Sequence, residues 1–150
     1  MNSFVSHSLK DTKKFAQKLA KKLYNGAVVL LYGDLGAGKT TLSKSIIKAL
    51  GYGGVVTSPT FTILNIYQGS LPIYHFDMYR LENVDEVMEI GADEILQSGQ
   101  GVCLVEWPEK IESILPADAI KIYIDSIDAN TRKFEVVFDD MKNKIKNNKK

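Results

Sequence analysis

Gly33-Asp34-Leu35-Gly36-Ala37-Gly38-Lys39-Thr40 fits the pattern G-x-x-x-x-G-K-[ST] in full, and Thr41 adds a second hydroxyl. Each residue type has a chemical reason to be there. Glycine reaches backbone angles that other residues avoid, so successive N–H groups can close around an anion. Lys39 supplies a cation for the β- and γ-phosphates, and the Thr40 hydroxyl is a hard oxygen suited to Mg²⁺. A helix opening directly after the loop turns its partial positive charge on the same anion. The spacing predicts a P-loop in which residues Asp34, Leu35, Gly36, Ala37, Gly38, Lys39, Thr40 and Thr41 hold nucleotide phosphates. Lys39 is expected to face solvent when no ligand is bound.

Such a loop also needs an acid for Mg²⁺ or for its water shell, and acids that end apolar strands are the candidates. "VCLVEW" sets Glu106 directly after four apolar residues. "YHFDMYRL" offers Asp77. Alternation along that strand puts Ile73, His75, Asp77 and Tyr79 on one face and Tyr74, Phe76 and Met78 on the other. The plainer alternatives are a solvated strand-edge acid for Asp77 and an acid preceding the Pro108 helix for Glu106. His75 reads as a hydrogen-bonded orienter, and Tyr79 and Trp107 as packing groups. "TSPTFT", from Thr57 to Thr62, is a hydroxyl-rich loop placed where a γ-phosphate sensor or an ordinary turn would fit.

The elements that must position these groups follow from periodicity and punctuation. Leu9, Phe15, Ala16, Leu19, Ala20 and Leu23 recur at helical spacing, and Asn25-Gly26 ends that helix. Ala27–Tyr32 is a solid apolar run, as expected of a strand buried on both faces. Thr41–Leu50 reads as a helix stopped by Gly51. Phe61–Tyr67 and Ile73–Tyr79 read as an antiparallel hairpin around Gln68-Gly69-Ser70. Val84–Leu96 reads as a helix weakened by Gly91, and Val102–Val105 as a second apolar strand. Pro108 suits the start of a short helix to Leu115. Ala119–Ile124 and Arg132–Phe138 read as a closing strand pair. The fold expected is α/β: a P-loop NTPase-like mixed sheet with flanking helices, behind a leading helix. Residues 1–140 are expected to form one domain, with a lysine-rich tail at 141–150.

Composition narrows the classes. The chain has 150 residues, 45% of them hydrophobic and 25% charged, which suits one globular domain. The longest apolar run is far too short for a bilayer, and no apolar signal core opens the chain, so a cytoplasmic location is expected. The one cysteine, Cys103, excludes an internal disulfide and reads as a buried reduced thiol. The net charge of +1 hides six lysines between Lys10 and Lys22 and five between Lys142 and Lys150. The stretch from Leu23 to Asp140 holds eight Lys/Arg against seventeen Asp/Glu, a poor surface for gripping a phosphate backbone alone, while the basic ends read as solvated segments or as nucleic-acid contacts.

"LLYGDLGAGKTTLSK", "SPTFTILN", "YHFDMYRLENVDEVMEIGADEIL" and "LVEWPEK" stand in the order and spacing of the bacterial TsaE family, also called YjeE, which the chain resembles from its first helix to about Arg132. The resemblance implies a small Mg²⁺-dependent ATPase required for threonylcarbamoyladenosine at position 37 of tRNA, binding ATP and acting with the TsaB–TsaD pair. It implies that tRNA is reached through that complex. It implies phosphate and Mg²⁺ contacts by Lys39 and Thr40, a Mg²⁺-linked Glu106, and an essential Asp77 that positions water or metal. Trp107 matches a tryptophan beside the site, and Thr12 and Arg132 match positions facing the base. Three other readings compete. A small-molecule kinase usually closes an arginine-bearing lid, and this chain has only Arg80 and Arg132. A GTPase would carry N-K-x-D, whereas Asn143-Lys144-Ile145-Lys146 lacks the acid. A nucleotide sensor without turnover differs only in rate.

Overall fold

A computed structural model describes residues 2–56 and 63–138. The Thr57–Thr62 loop and the lysine-rich segment 141–150 lie outside the described residues. The chain runs β1 (Asn2–Ser6), α1 (Leu9–Ala20), β2 (Val28–Tyr32), α2 (Lys39–Ala49), β3 (Leu64–Gln68), β4 (Pro72–Asp77), α3 (Asp85–Glu89), α4 (Ala92–Gln97), β5 (Val102–Glu106), a 3₁₀ segment (Pro108–Ile114), β6 (Ile120–Ser126) and β7 (Arg132–Val137).

The strands form one seven-stranded sheet in the order β1-β7-β6-β2-β5-β4-β3. The four central strands, β6, β2, β5 and β4, are parallel, and β3, β7 and β1 pair antiparallel at the two edges. The expected mixed α/β sheet is therefore present, with the β3–β4 hairpin at one edge and the β6–β7 pair toward the other.

Alternation along β2 divides the core. Val29 and Leu31 pack with Phe15, Leu19, Leu42 and Ile46 under α1 and α2. Val28 and Leu30 pack with Phe76, Val87, Leu96 and Ile111 under α3, α4 and the 3₁₀ segment. A strand covered on both faces must be apolar at every position, which is why Val28–Tyr32 and Val102–Val105 show no polar alternation. Burying one such Leu or Ile stabilises the fold by about 1.5–3 kcal/mol before entropy is counted.

Two elements differ from the periodicity. The leading helix is preceded by a strand, β1, whose partner β7 lies some 130 residues away: Phe4 faces Phe134 across the pair. Phe4, Phe15 and Phe134 then cluster with centroids 4.8 to 6.4 Å apart. The expected Val84–Leu96 helix is two short helices, because Gly91 takes φ +78°, a left-handed angle that stops α3 and starts α4. Ser8 caps α1, its hydroxyl accepting from the Asp11 N–H at 3.1 Å, while Asp11 accepts from the His7 N–H at 2.9 Å. Among the described residues no helix is long and apolar enough to cross a membrane.

Cys103 sits inside β5, 2% exposed, and burial pushes its thiol up to about 12. A thiol so placed is neutral and shielded. The native protein is therefore expected to resist dithiobisnitrobenzoate and to react at full stoichiometry in denaturant. Rapid native labelling, read as absorbance of released thionitrobenzoate, would contradict this placement of β5.

Candidate functional site

The parallel strands β2, β5 and β4 end at the same edge of the sheet. In α/β sheets the carboxyl ends of parallel strands are where ligands bind. Register does the positioning. Glu106 lies beside Leu31 on one side and Asp77 on the other. The glycine loop leaves β2 at this edge and enters α2 at Lys39. Gly38 opens the helix at φ +108°, an angle a side chain rarely adopts, so the first turn of backbone N–H groups faces the loop unobstructed.

Glu106 is the hub. Its side chain is almost wholly enclosed, and two donors meet it. The Thr40 hydroxyl donates to Oε1 at 2.8 Å, and His75 Nε2 lies 2.6 Å from Oε2. His75 is itself fully buried on β4. Its Nδ1 has no hydrogen-bond partner among the described residues. That identifies the tautomer: with the proton on Nε2, the ring donates to the carboxylate and leaves only a bare acceptor unmet, the cheaper loss. His75 is thus the orienter expected of it, and the plainer reading of Glu106 as an acid before the 3₁₀ segment does not describe its contacts.

Asp77 ends β4 and is half-buried, not a solvated edge acid. Burial holds its carboxyl above the ordinary carboxylate range. The Tyr79 N–H, donating to Oδ1 at 3.0 Å, works against the rise, and the neighbouring Glu106 adds to it.

Lys39 corrects the expectation that it faces solvent. It is 5% exposed. Its ammonium donates to the carbonyls of Gly33 and, at 3.0 Å, of Asp34. It also lies 3.7 Å from the centroid of the Trp107 ring. Its own loop and one aromatic face occupy the cation, so an incoming anion must take their place. Burial lowers the Lys39 ammonium below its usual range, opposed by Glu106, Glu109, Asp34 and Asp77.

Trp107 does more than pack. It holds φ +59° and ψ +50°, the one non-glycine residue at positive φ among those described. The following proline also disfavours helical angles at that position. Such a conformation costs on the order of 1–3 kcal/mol and persists where surrounding structure over-determines it. Here the indole is held between Lys39 and the Tyr79 ring, 5.0 Å away. No sequence pattern signals a left-handed tryptophan.

Two hollows meet at Arg132. One, of about 320 Å³, brings Gly36, Lys39, Thr40, Asp77, Glu106 and Trp107 together. Asp34 and Leu35 stay on the outside of the loop, Leu35 71% exposed, although Leu35 still reaches this rim. Ala37 is buried beneath the loop, and its N–H bonds Asp34. The second hollow, of about 190 Å³, brings Thr12, Thr41 and Arg132 together with Ser6, Ser8 and Asn130. Ser6 donates to the Ser8 carbonyl at 2.8 Å and lies 2.7 Å from the Thr12 hydroxyl. Ser6 comes from β1, which no periodicity signals, Ser8 is the cap of α1, and Asn130 sits in a turn with no motif. Arg132 itself donates to the carbonyls of Asp128 and Thr131.

Comparison with known proteins places the chain in a family and matches its fold. Residues 6–134 match the family model described as "Threonylcarbamoyl adenosine biosynthesis protein TsaE". The chain is 49% identical over 115 residues to a "tRNA threonylcarbamoyladenosine biosynthesis protein TsaE" of Bacillus subtilis, covering 76% of this chain and 71% of that protein. It is 39% identical over 132 residues to the protein of the same name from Treponema pallidum, covering 88% and 97%. The crystal structure of Bacillus subtilis YdiB superposes with a TM-score of 0.77 at 35% identity, over 96% of this chain and 89% of that one.

Glu106→Ala removes the shared acceptor and leaves the buried His75 N–H unmet. We expect a loss of about 1–3 kcal/mol in urea unfolding, seen as a lower midpoint at unchanged slope. Glu106→Gln keeps an oxygen for His75 and offers an amide to Thr40, so most of that loss should be recovered. Equal midpoints for wild type and Glu106→Ala would contradict the hub.

Proposed function

The chain belongs to the TsaE family, with its role in tRNA threonylcarbamoyladenosine biosynthesis, and from that premise we propose that it is the family's ATP-binding and ATP-hydrolysing subunit. The observation that carries this reading is the convergence of Lys39, Thr40, Glu106 and Asp77 in one hollow behind a glycine loop. The residues fit a nucleotide with Mg²⁺: backbone N–H groups and an ammonium for phosphate, a hydroxyl and a carboxylate as hard oxygens for the metal. Thr40 and Glu106 would hold the ion. When bound, Mg²⁺ neutralises charge on the transferred phosphoryl group.

The chain's own residues have separable tasks. The first turn of α2 and the loop bind phosphate through their N–H groups. Lys39 leaves the Gly33 and Asp34 carbonyls for the phosphate oxygens. His75 keeps the Glu106 carboxylate aimed at the Thr40 side. Asp77, held above the usual range by burial, accepts a hydrogen bond from water or its proton. Thr12 and Arg132 line the hollow on the base side. The protein works with the TsaB–TsaD pair, in the cytoplasm, as one domain over residues 1–140.

Phosphoryl transfer depends on positioning and on charge at the equatorial oxygens, and an added arginine is worth roughly 10³–10⁵ in rate. Arg132, held by two carbonyls, is the one arginine lining the hollow. Isolated protein is therefore expected to turn ATP over well below the enzyme median of about 10 s⁻¹. Addition of TsaB–TsaD and tRNA should raise the rate. A steady-state assay with and without the pair tests this, and fast turnover indifferent to the pair would refute it. Lys39→Ala should weaken ATP binding at least tenfold in a calorimetric titration; unchanged affinity would remove Lys39 from the site.

Asp77→Asn separates function from stability. A carboxyl whose folded pKa is raised stabilises the fold only below its unfolded value of about 3.9, and that contribution is lost as pH rises through the folded value. At neutral pH the charge is a burden, and Asn keeps the acceptor for Tyr79. The variant should melt at the same temperature as wild type or higher, yet lose at least about 10²-fold in Mg²⁺-dependent turnover. A lower melting temperature with intact turnover would reverse the assignment.

A further inference from the structure

Read along the chain, charge falls into basic ends and an acidic body. Folded, it falls into faces. Residues 7–56 carry nine lysines and two acids, and α1 and α2 cover one face of the sheet. Residues 63–138 carry five Lys/Arg and fourteen acids, six of them between Glu82 and Glu94 on the opposite face with α3 and α4. Six of the acids that argued against a phosphate-binding surface therefore belong to the other side of the molecule, and residues 7–56 hold only two.

On the basic face α1, α2 and residues 53–56 line a groove of about 830 Å³. Lys13 and Gln17 on α1 look across it at Lys44, Ser45 and Lys48 on α2. Both sets follow helical spacing: residues three and four apart share a face, so each helix presents a continuous row. Lys10 and Lys14 extend the basic surface along α1, both exposed. Among the described residues no salt bridge engages any of these lysines. The single acid of α1, Asp11, accepts from the His7 N–H at the helix start.

This is not the pattern of a merely solvated helix. Solubility is served by lysines alternating with glutamates four residues away, which also stabilises the helix. Here Lys44–Lys48, both lining the groove, and Lys10–Lys14 along α1 are like charges at that spacing, which destabilises helices. A polyanion in the groove would relieve the Lys44–Lys48 repulsion and release its counterions. The groove also adjoins the base-side hollow, since Leu9 and Thr41 line both.

We infer that the lysine-lined groove between α1 and α2 binds an RNA phosphodiester backbone directly, through Lys13, Lys44 and Lys48. The choice of RNA among polyanions rests on the family's role in tRNA modification and not on ATP turnover. The contact is electrostatic and carries no base readout, as expected where lysines offer point charges and, among the described residues, no aromatic platform lines the groove.

The test is fluorescence anisotropy of labelled unmodified tRNA with the full chain, at several salt concentrations. Wild type should bind with an affinity that falls steeply with salt. The triple variant Lys13→Gln, Lys44→Gln, Lys48→Gln should bind at least about tenfold more weakly at low salt. Its log–log salt slope should shrink by about 2–3, since each phosphate contact contributes roughly 0.7–0.9. Its ATP affinity should stay unchanged, which excludes misfolding. Should the triple variant fail to fold, the single variants Lys13→Gln and Lys48→Gln should each reduce the slope by about one. A variant with Lys142, Lys144 and Lys146 changed to Gln, which removes three charges as the triple variant does, serves as a charge-matched control. Wild-type affinity and slope in the triple variant, with the loss found only in that control, would overturn the inference. So would a triple variant that binds tRNA normally but loses the TsaB–TsaD pair, which would assign the groove to an acidic protein. A wild type that binds tRNA through the groove but hydrolyses no ATP would sink the ATPase reading and leave this one standing.

Discussion

A carboxylate 1% exposed cannot stand in an apolar sheet without donors, and Glu106 is supplied with two. The hydrogen bonds from Thr40 and His75 join three elements that are remote in sequence: α2, β5 and β4. Each bond is possible only because β5 lies between β2 and β4 with Glu106 level with Leu31 and Asp77. Slip either parallel pair by one residue and every side chain changes face. Glu106 would then enter one of the two apolar layers unpaired. The site's geometry and the sheet's register are thus one constraint.

The glycine loop adds a second feature, closure on its own cation. In this conformation Lys39 satisfies its donors with Gly33 and Asp34 carbonyls and lies on the Trp107 ring. These contacts hold the loop closed on its own cation, so under the proposed function phosphate binding would be an exchange of partners and not a simple addition. The differential between the two sets of partners would then set the apparent affinity. Trp107 bears the cost of its left-handed backbone where β5 gives way to Pro108, and Tyr79 backs its ring. Strain of this kind sits at functional positions because only there is the surrounding structure arranged to hold it.

The two helical layers differ in charge as well as in position. Helices α1 and α2 flank the loop and carry the lysines, whereas α3 and α4 are short, acidic and joined at Gly91. Exposed Met88 and Ile90 stand among those acids. A molecule polarised across its sheet aligns in the field of a charged partner before contact.

What the sequence determined by itself was whatever depends on local chemistry. Gly33–Thr40 specifies a glycine loop that opens a helix, because backbone angles and residue types act within a few positions. The uninterrupted apolar runs at Val28 and Val102 specify strands buried on both faces, because no polar residue survives there. Residue strings at fixed spacing carried the family resemblance, which the matches over residues 6–134 bear out. What only the tertiary structure decided was whatever depends on distant partners. Strand β1 has too little pattern in five residues to be read, and it exists because β7 offers a free edge beside Phe4. The Ser6–Thr12 pair follows from that strand. Lys39 is enclosed because Trp107, 68 positions on, turns back over it. The charges form faces because the sheet sorts α1 and α2 from α3 and α4, and the order of residues along a chain carries no record of which side of a sheet they will cover.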